Sequence, residues 1–139
     1  MKVSGFFNTA LAAVGAVCGF LFGELNGMLI ALIAISVMDY VTGVIAAAVS
    51  KTLSSAIGFR GICKKLMLFT LVAVANIIDT QVIGGSALRT DVIFVFIANE
   101  GLSIIENSAE MGVPIPQKLK NVLAQIRDKG ENTEENDPK

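Results

Sequence analysis

Four apolar runs stand apart along the chain: Phe6–Phe22, Met28–Val49, Lys65–Ile83 and Val92–Met111. A helix needs about 20 residues to cross the hydrocarbon core of a bilayer, with roughly 17 as a lower limit. The pattern therefore predicts an all-α integral membrane protein with four membrane-embedded helices, the first of them short. The fourth run opens on an unbroken apolar stretch from Val92 to Ala98 and then carries Asn99, Glu100, Ser103, Glu106, Asn107 and Glu110. Those polar residues advance by about one turn each, forming a stripe opposite Phe94, Ile97, Leu102, Ile104 and Ile105. A lone helix with that stripe is a poor span. Repeated around an oligomer, the stripe could line an aqueous pore, whereas an interfacial placement would explain its amphipathicity without one.

The pattern changes after Pro114 and Pro116. Leu119, Val122, Leu123 and Ile126 recur at helical spacing with Lys118, Lys120, Gln125 and Arg127 on the other side, which predicts an amphipathic helix on the inner membrane surface. Gly130 is the expected stop, followed by a polar tail, ENTEENDPK, with the composition of a disordered segment. The chain thus divides into a helical membrane domain over residues 1–113, an interfacial helix over 114–130 and a disordered tail over 131–139.

Charge tests this division independently, because lysine and arginine concentrate in cytoplasmic loops. With four spans and the N-terminus inside, Lys2, Lys51, Arg60, Lys64, Lys65, Lys118, Lys120, Arg127, Lys129 and Lys139 all fall on the cytoplasmic side. Of the 11 basic residues only Arg89 falls outside, so an N-in, C-in topology is expected, with Arg60, Lys64 and Lys65 at the inner headgroups. The first run also resembles the apolar core of a secretory signal. It lacks a small-x-small cleavage site, however, and it spaces Gly15, Gly19, Gly23 and Gly27 four residues apart, which marks it as a retained helix.

Those glycines strip side-chain bulk from one side of the first helix and would let a second backbone approach closely. Gly15, Gly19, Gly23 and, in the second run, Gly43 are the expected helix contacts, within one subunit or between subunits. The costliest residue lies near the middle of the second run, where Asp39 shares a face with Ser36, Thr42, Gly43 and Ala46. An intramembrane carboxylate costs several kcal/mol unless it is paired, protonated or wet. Asp39, Thr42, Asn99, Glu100, Ser103, Glu106 and Asn107 are therefore the candidates for a pore lining or a polar helix interface.

Composition agrees with the membrane assignment: 53% of the 139 residues are hydrophobic and 17% charged, too apolar for an ordinary soluble domain. The chain has no histidine and two cysteines, Cys18 and Cys63, so a histidine triad and the usual zinc ligand sets are excluded and no metal or cofactor is expected. Glu100 and Glu106 have no evident substrate pocket around them, and no phosphate-binding glycine loop follows a strand, which argues against an enzyme. A net charge of −1 without a basic stripe argues against nucleic acid.

Three segments together are similar to those of the toxin-secretion/phage-lysis holin family. They are Asp39-Tyr-Val-Thr42-Gly43, then Ser54 to Lys65 with its Gly58-Phe-Arg60-Gly61 and paired lysines, and Asn99-Glu100-Gly-Leu-Ser103-Ile-Ile-Glu106-Asn107 leading to Gly112-Val-Pro114-Ile-Pro116. The resemblance implies a small protein of the bacterial cytoplasmic membrane that accumulates as a homo-oligomer in contact with lipid. At a late time it opens lesions through which a phage endolysin reaches the cell wall. Two other readings of the polar set stay open: a small ion channel or proton-coupled transporter, and a regulatory membrane partner of the antiholin type.

Overall fold

Helix starts are marked in this chain by polar residues set immediately before apolar ones. Asn26 and Ser54 adopt extended backbone and turn their side-chain oxygens onto the amides of Leu29 (3.1 Å) and Ile57 (3.3 Å), occupying donors that a helix N-terminus leaves unmatched. The computed structural model describes residues 2–135. It contains α1 (Lys2–Phe22), α2 (Gly27–Val49), α3 (Ser55–Ile78), a single π-helical turn (Asp79–Ile83), α4 (Ala87–Glu110) and α5 (Gln117–Glu135). No strand occurs among the described residues.

The centre of the fold is a three-helix bundle. Helices α2 and α4 run parallel, with α4 lying along most of α2, and α3 returns antiparallel between the same ends. Leu29, Leu32, Leu68, Val72 and Ile93 form the buried apolar cluster, with Phe22, Phe69 and Phe96 packed against it. Direct contact between α2 and α3 is sparse, so α4 is the element that joins them.

Helix α1 stands apart, exposed from Val3 to Phe20 and joined to the bundle by its last turn. Gly23 ends it in the left-handed region (φ 74°), and a Cβ there would lie 2.6 Å from Asn76 Oδ1, so only glycine fits this turn. At the other end of the chain α5 folds back on α4 and seats Leu123 over Gly101, where an added Cβ would meet the leucine methyls at 3.1 Å. Leu123 and Ile126 are half-buried, whereas Leu119 and Val122 remain exposed.

Several sequence expectations change. The third helix begins at Ser55, ten residues before the expected Lys65, so Arg60, Cys63 and Lys64 belong to a helix instead of a loop. Its glycines have a packing reason: Gly58 and Gly61 lie under the Tyr40 ring, whose hydroxyl reaches the Gly58 carbonyl at 3.4 Å, and a Cβ on Gly61 would come within 3.0 Å of that ring. Helix α5 continues through Gly130, the expected stop, to Glu135, and residues 136–139 of the expected tail lie outside the described residues. Three helices are long and apolar enough to cross a membrane, at Val3–Phe22, Gly27–Val49 and Ser55–Ile83. Helix α4 is not one of them; it carries five charged residues, Arg89, Asp91, Glu100, Glu106 and Glu110.

Candidate functional site

Counting along the helices brings three charged residues to one level. Asp39 lies twelve residues into α2, Lys65 ten into α3 and Glu100 thirteen into α4, or about 15–20 Å from the helix starts at 1.5 Å per residue. For helices of this length that is the middle. There the Lys65 ammonium donates to both Asp39 Oδ2 and Glu100 Oε2. The side chains are withdrawn from the surface, with exposures of 15% for Lys65, 11% for Asp39 and 7% for Glu100, so the pairing occurs where solvent screening is weak.

Asn107 extends the network by two turns toward the C-terminal end of α4. Its amide donates to Thr42 Oγ1 at 3.0 Å, to Asp39 Oδ1 at 3.3 Å and to the Asp39 carbonyl at 3.4 Å. Gly43 lies under this amide, 3.5 Å from where its Cβ would be. Beside the network a 160 Å³ cavity is lined by Asp39, Lys64, Lys65, Ser103 and Asn107 among others. The whole arrangement carries one cation against two carboxylates, a formal charge of −1 near the middle of the helices, and it ties all three helices of the bundle together.

The polar stripe of α4 is therefore divided. Glu100, Ser103 and Asn107 turn inward, while Asn99, Glu106 and Glu110 are exposed. Lys65 is a correction to the sequence expectation: instead of meeting headgroups at a helix end, its ammonium lies inside the bundle, because the helix starts ten residues earlier than hydropathy suggested. Arg60, near the start of α3, and Lys64, next to Lys65, are both exposed. Asp39, Thr42, Glu100 and Asn107 all find partners within one chain.

A second polar cluster, missed in the sequence, lies at the opposite end of the bundle. Arg89 is buried; its Nε donates to the Phe22 carbonyl and its Nη2 to the Glu24 carbonyl, both at 2.7 Å. Asn76 Nδ2 donates to the carbonyls of Phe20 and Leu21 at 3.1 Å. These groups satisfy the C-terminal oxygens of α1, where the helix dipole favours a cation. Asp79, 1% exposed, accepts from the amides of Leu88 (3.3 Å) and Arg89 (2.7 Å) and so caps the start of α4 from the π turn. The isolation of Arg89 from every other basic residue was the available signal.

Gly15 and Gly19 face open space, whereas Gly23 and Gly43 are close to neighbours in the same chain. Among the described residues no group of three or more His, Cys, Asp or Glu side chains is placed to hold a metal ion.

The profile of the bacteriophage holin family matches residues 16–128. An uncharacterised 14.9 kDa protein in the nagH 3′ region of Clostridium perfringens is 38% identical over 92% of this chain and 98% of its own length. A protein of Bacillus phage phi105 named "Probable holin" is 39% identical over 85% of this chain and 87% of its own. The uncharacterised YqxH of Bacillus subtilis is 38% identical over 84% of this chain and 83% of its own. No solved structure matches.

Proposed function

The chain belongs to the bacteriophage holin family, and from that premise we infer that it assembles in the bacterial cytoplasmic membrane and opens lesions for a phage endolysin. The observation that carries this reading is the Asp39–Lys65–Glu100 network with Asn107 beside it. It holds charge near mid-span, a placement kept in membranes for function more than for stability. In the resting subunit the network is closed on itself. Opening a lesion exchanges these internal pairs for water and for groups of neighbouring subunits, and the exposed edge of α4 at Asn99 and Glu106 supplies the first polar surface for that contact.

Four membrane-embedded helices, with both termini inside, remain the topology this reading favours. Helix α4 lies along α2 and meets it at the same depth through Asn107 and Thr42, and its one charge buried at mid-length is paired with Lys65. Helix α5, folded back on α4, brings Lys118 and Lys120 toward the inner headgroups. Labelling of single cysteines with an impermeant maleimide is expected to modify Gly85→Cys from outside and Lys118→Cys only from inside. Same-side labelling would exclude the fourth span.

Regulated expression in bacteria with a co-expressed endolysin tests the function itself. An abrupt loss of viability with release of the enzyme is the expected result. Conductance of small ions without passage of protein would instead favour a channel, and harmless expression that delays lysis by a second protein would favour an antiholin role.

A further inference from the structure

One exposed helix and one open groove match. The first is α1, exposed along Val3–Phe20 with Gly15 and Gly19 open. The second is a groove beside it. An open space of about 520 Å³ lies between the end of α1 (Cys18, Gly19, Phe22) and Leu29, Ile33 and Phe69. From the shared residues Ile33 and Phe69 it continues as a 250 Å³ channel lined by α2 and α3 alone, including Ser36, Tyr40 and Lys65. This is the seam where α2 and α3 scarcely touch.

Ser36 gives the groove a chemical requirement. It is 3% exposed, and its Oγ is the only buried side-chain polar atom without a hydrogen-bond partner among the described residues. A hydroxyl held in an apolar channel at this depth needs an acceptor. An acyl chain filling the groove has none. A helix has backbone carbonyls, and at small residues it comes close enough for a serine hydroxyl to reach one.

We propose that α1 of a second copy of this chain docks in the groove between α2 and α3, with Ala12, Gly15, Ala16 and Gly19 against Ile33 and Ser36. This inference rests on the membrane self-association reading above and names the surfaces that associate. Copies inserted in one orientation have α1 antiparallel to α2, and depth then sets the register. Ser36 lies nine residues after Gly27 and Ala13 nine before Phe22, each about 14 Å from the end where α1 meets α2. Alanine and glycine flank that level on α1, so a carbonyl is within reach of Ser36. The chain's own α1 is not the occupant, because Asn76 and Arg89 grip its last turn and leave the rest of the helix exposed. Each copy thus offers one arm and one groove, and the contact propagates from subunit to subunit.

Single-cysteine copies test this in bacterial membranes. One tagged copy keeps Cys18 with Cys63→Ser; the other carries Cys18→Ser, Cys63→Ser and Ile33→Cys under a different tag. Mild oxidation of the co-expressed pair is expected to give a disulfide-linked species bearing both tags. Ser36→Leu in the second copy, which fills the channel, is expected to reduce that species several-fold, whereas the isosteric Ser36→Ala leaves the channel open and reduces it less. Exclusive formation of Cys18–Cys18 dimers, or a Cys18–Ile33→Cys link only when both cysteines share one chain, overturns the docking. Lysis that persists without the mixed link also overturns it while leaving the holin reading intact. A mixed link in a chain that causes no lysis supports the docking and counts against the lesion-forming role instead.

Discussion

Lys65→Met is expected to destabilise the bundle by about 3–5 kcal/mol, since it removes one cation from between two carboxylates that stay buried. Methionine keeps most of the volume, so the loss comes from charge and not from a cavity. Unfolding in mixed micelles with a denaturing detergent, followed by far-UV circular dichroism, measures it. The triple variant Lys65→Met, Asp39→Asn, Glu100→Gln tests the cause. With no charge left to strand, it is expected to regain most of the lost stability, because replacing a buried ion network by neutral groups is often close to neutral. If the triple variant is as unstable as the single one, or if the single one matches the parent, the network does not hold the helices. In lysis assays the triple variant should insert and accumulate yet shift the time of lesion opening, because the polar groups available to water differ.

Arg89→Met carries the second large effect, about 2–4 kcal/mol, and a local one. It deletes two hydrogen bonds from a charged donor to the Phe22 and Glu24 carbonyls, each of a kind worth about 1.5–3 kcal/mol. The core around Leu32, Val72 and Ile93 makes no use of the guanidinium, so the bundle should survive. What should change is the joint between α1 and the rest. Hydrogen exchange at Gly23, whose amide bonds to the Gly19 carbonyl at 2.9 Å, is expected to accelerate by one to three orders of magnitude, and protease cleavage near Glu24 should appear while α2–α4 stay protected. Exchange at Gly23 rising in step with exchange at Leu32 would show that Arg89 supports the whole bundle instead.

The sequence made much of this fold legible, and the reasons differ by element. Helix α2 matches its apolar run almost to the residue, because Asn26 caps one end and nothing polar but the inward Ser36, Asp39 and Thr42 interrupts it. Helix α3 was read ten residues short. Gly58, Arg60, Gly61 and Lys64 depress local hydropathy, yet the glycines serve Tyr40 and the cations face out from a regular helix. Taking Ser54 as a cap would have set the start correctly and moved Lys65 from the helix end to its middle. The polar residues of the α4 stripe were identified as a set, but their split into an inward and an outward group depends on where α2 and α5 pack, which a single helix's periodicity does not contain. Arg89 and Asp79 were missed because their partners are mostly main-chain atoms, and main-chain atoms leave no trace in side-chain patterns.

The joint that holds α1 grips the carbonyls of Phe20, Leu21, Phe22 and Glu24 and requires glycine at position 23. Beyond the Phe22 ring, packed edge-on against Phe69, it grips main chain, so α1 behaves as an exchangeable cartridge clipped on by its final turn. The clip is blind to what the cartridge displays, and the residues from Val3 to Gly19 can be rewritten without disturbing the bundle. Selection on those residues is therefore left to the surfaces α1 meets outside its own subunit. In such a design one chassis carries different first helices and changes assembly behaviour without refolding.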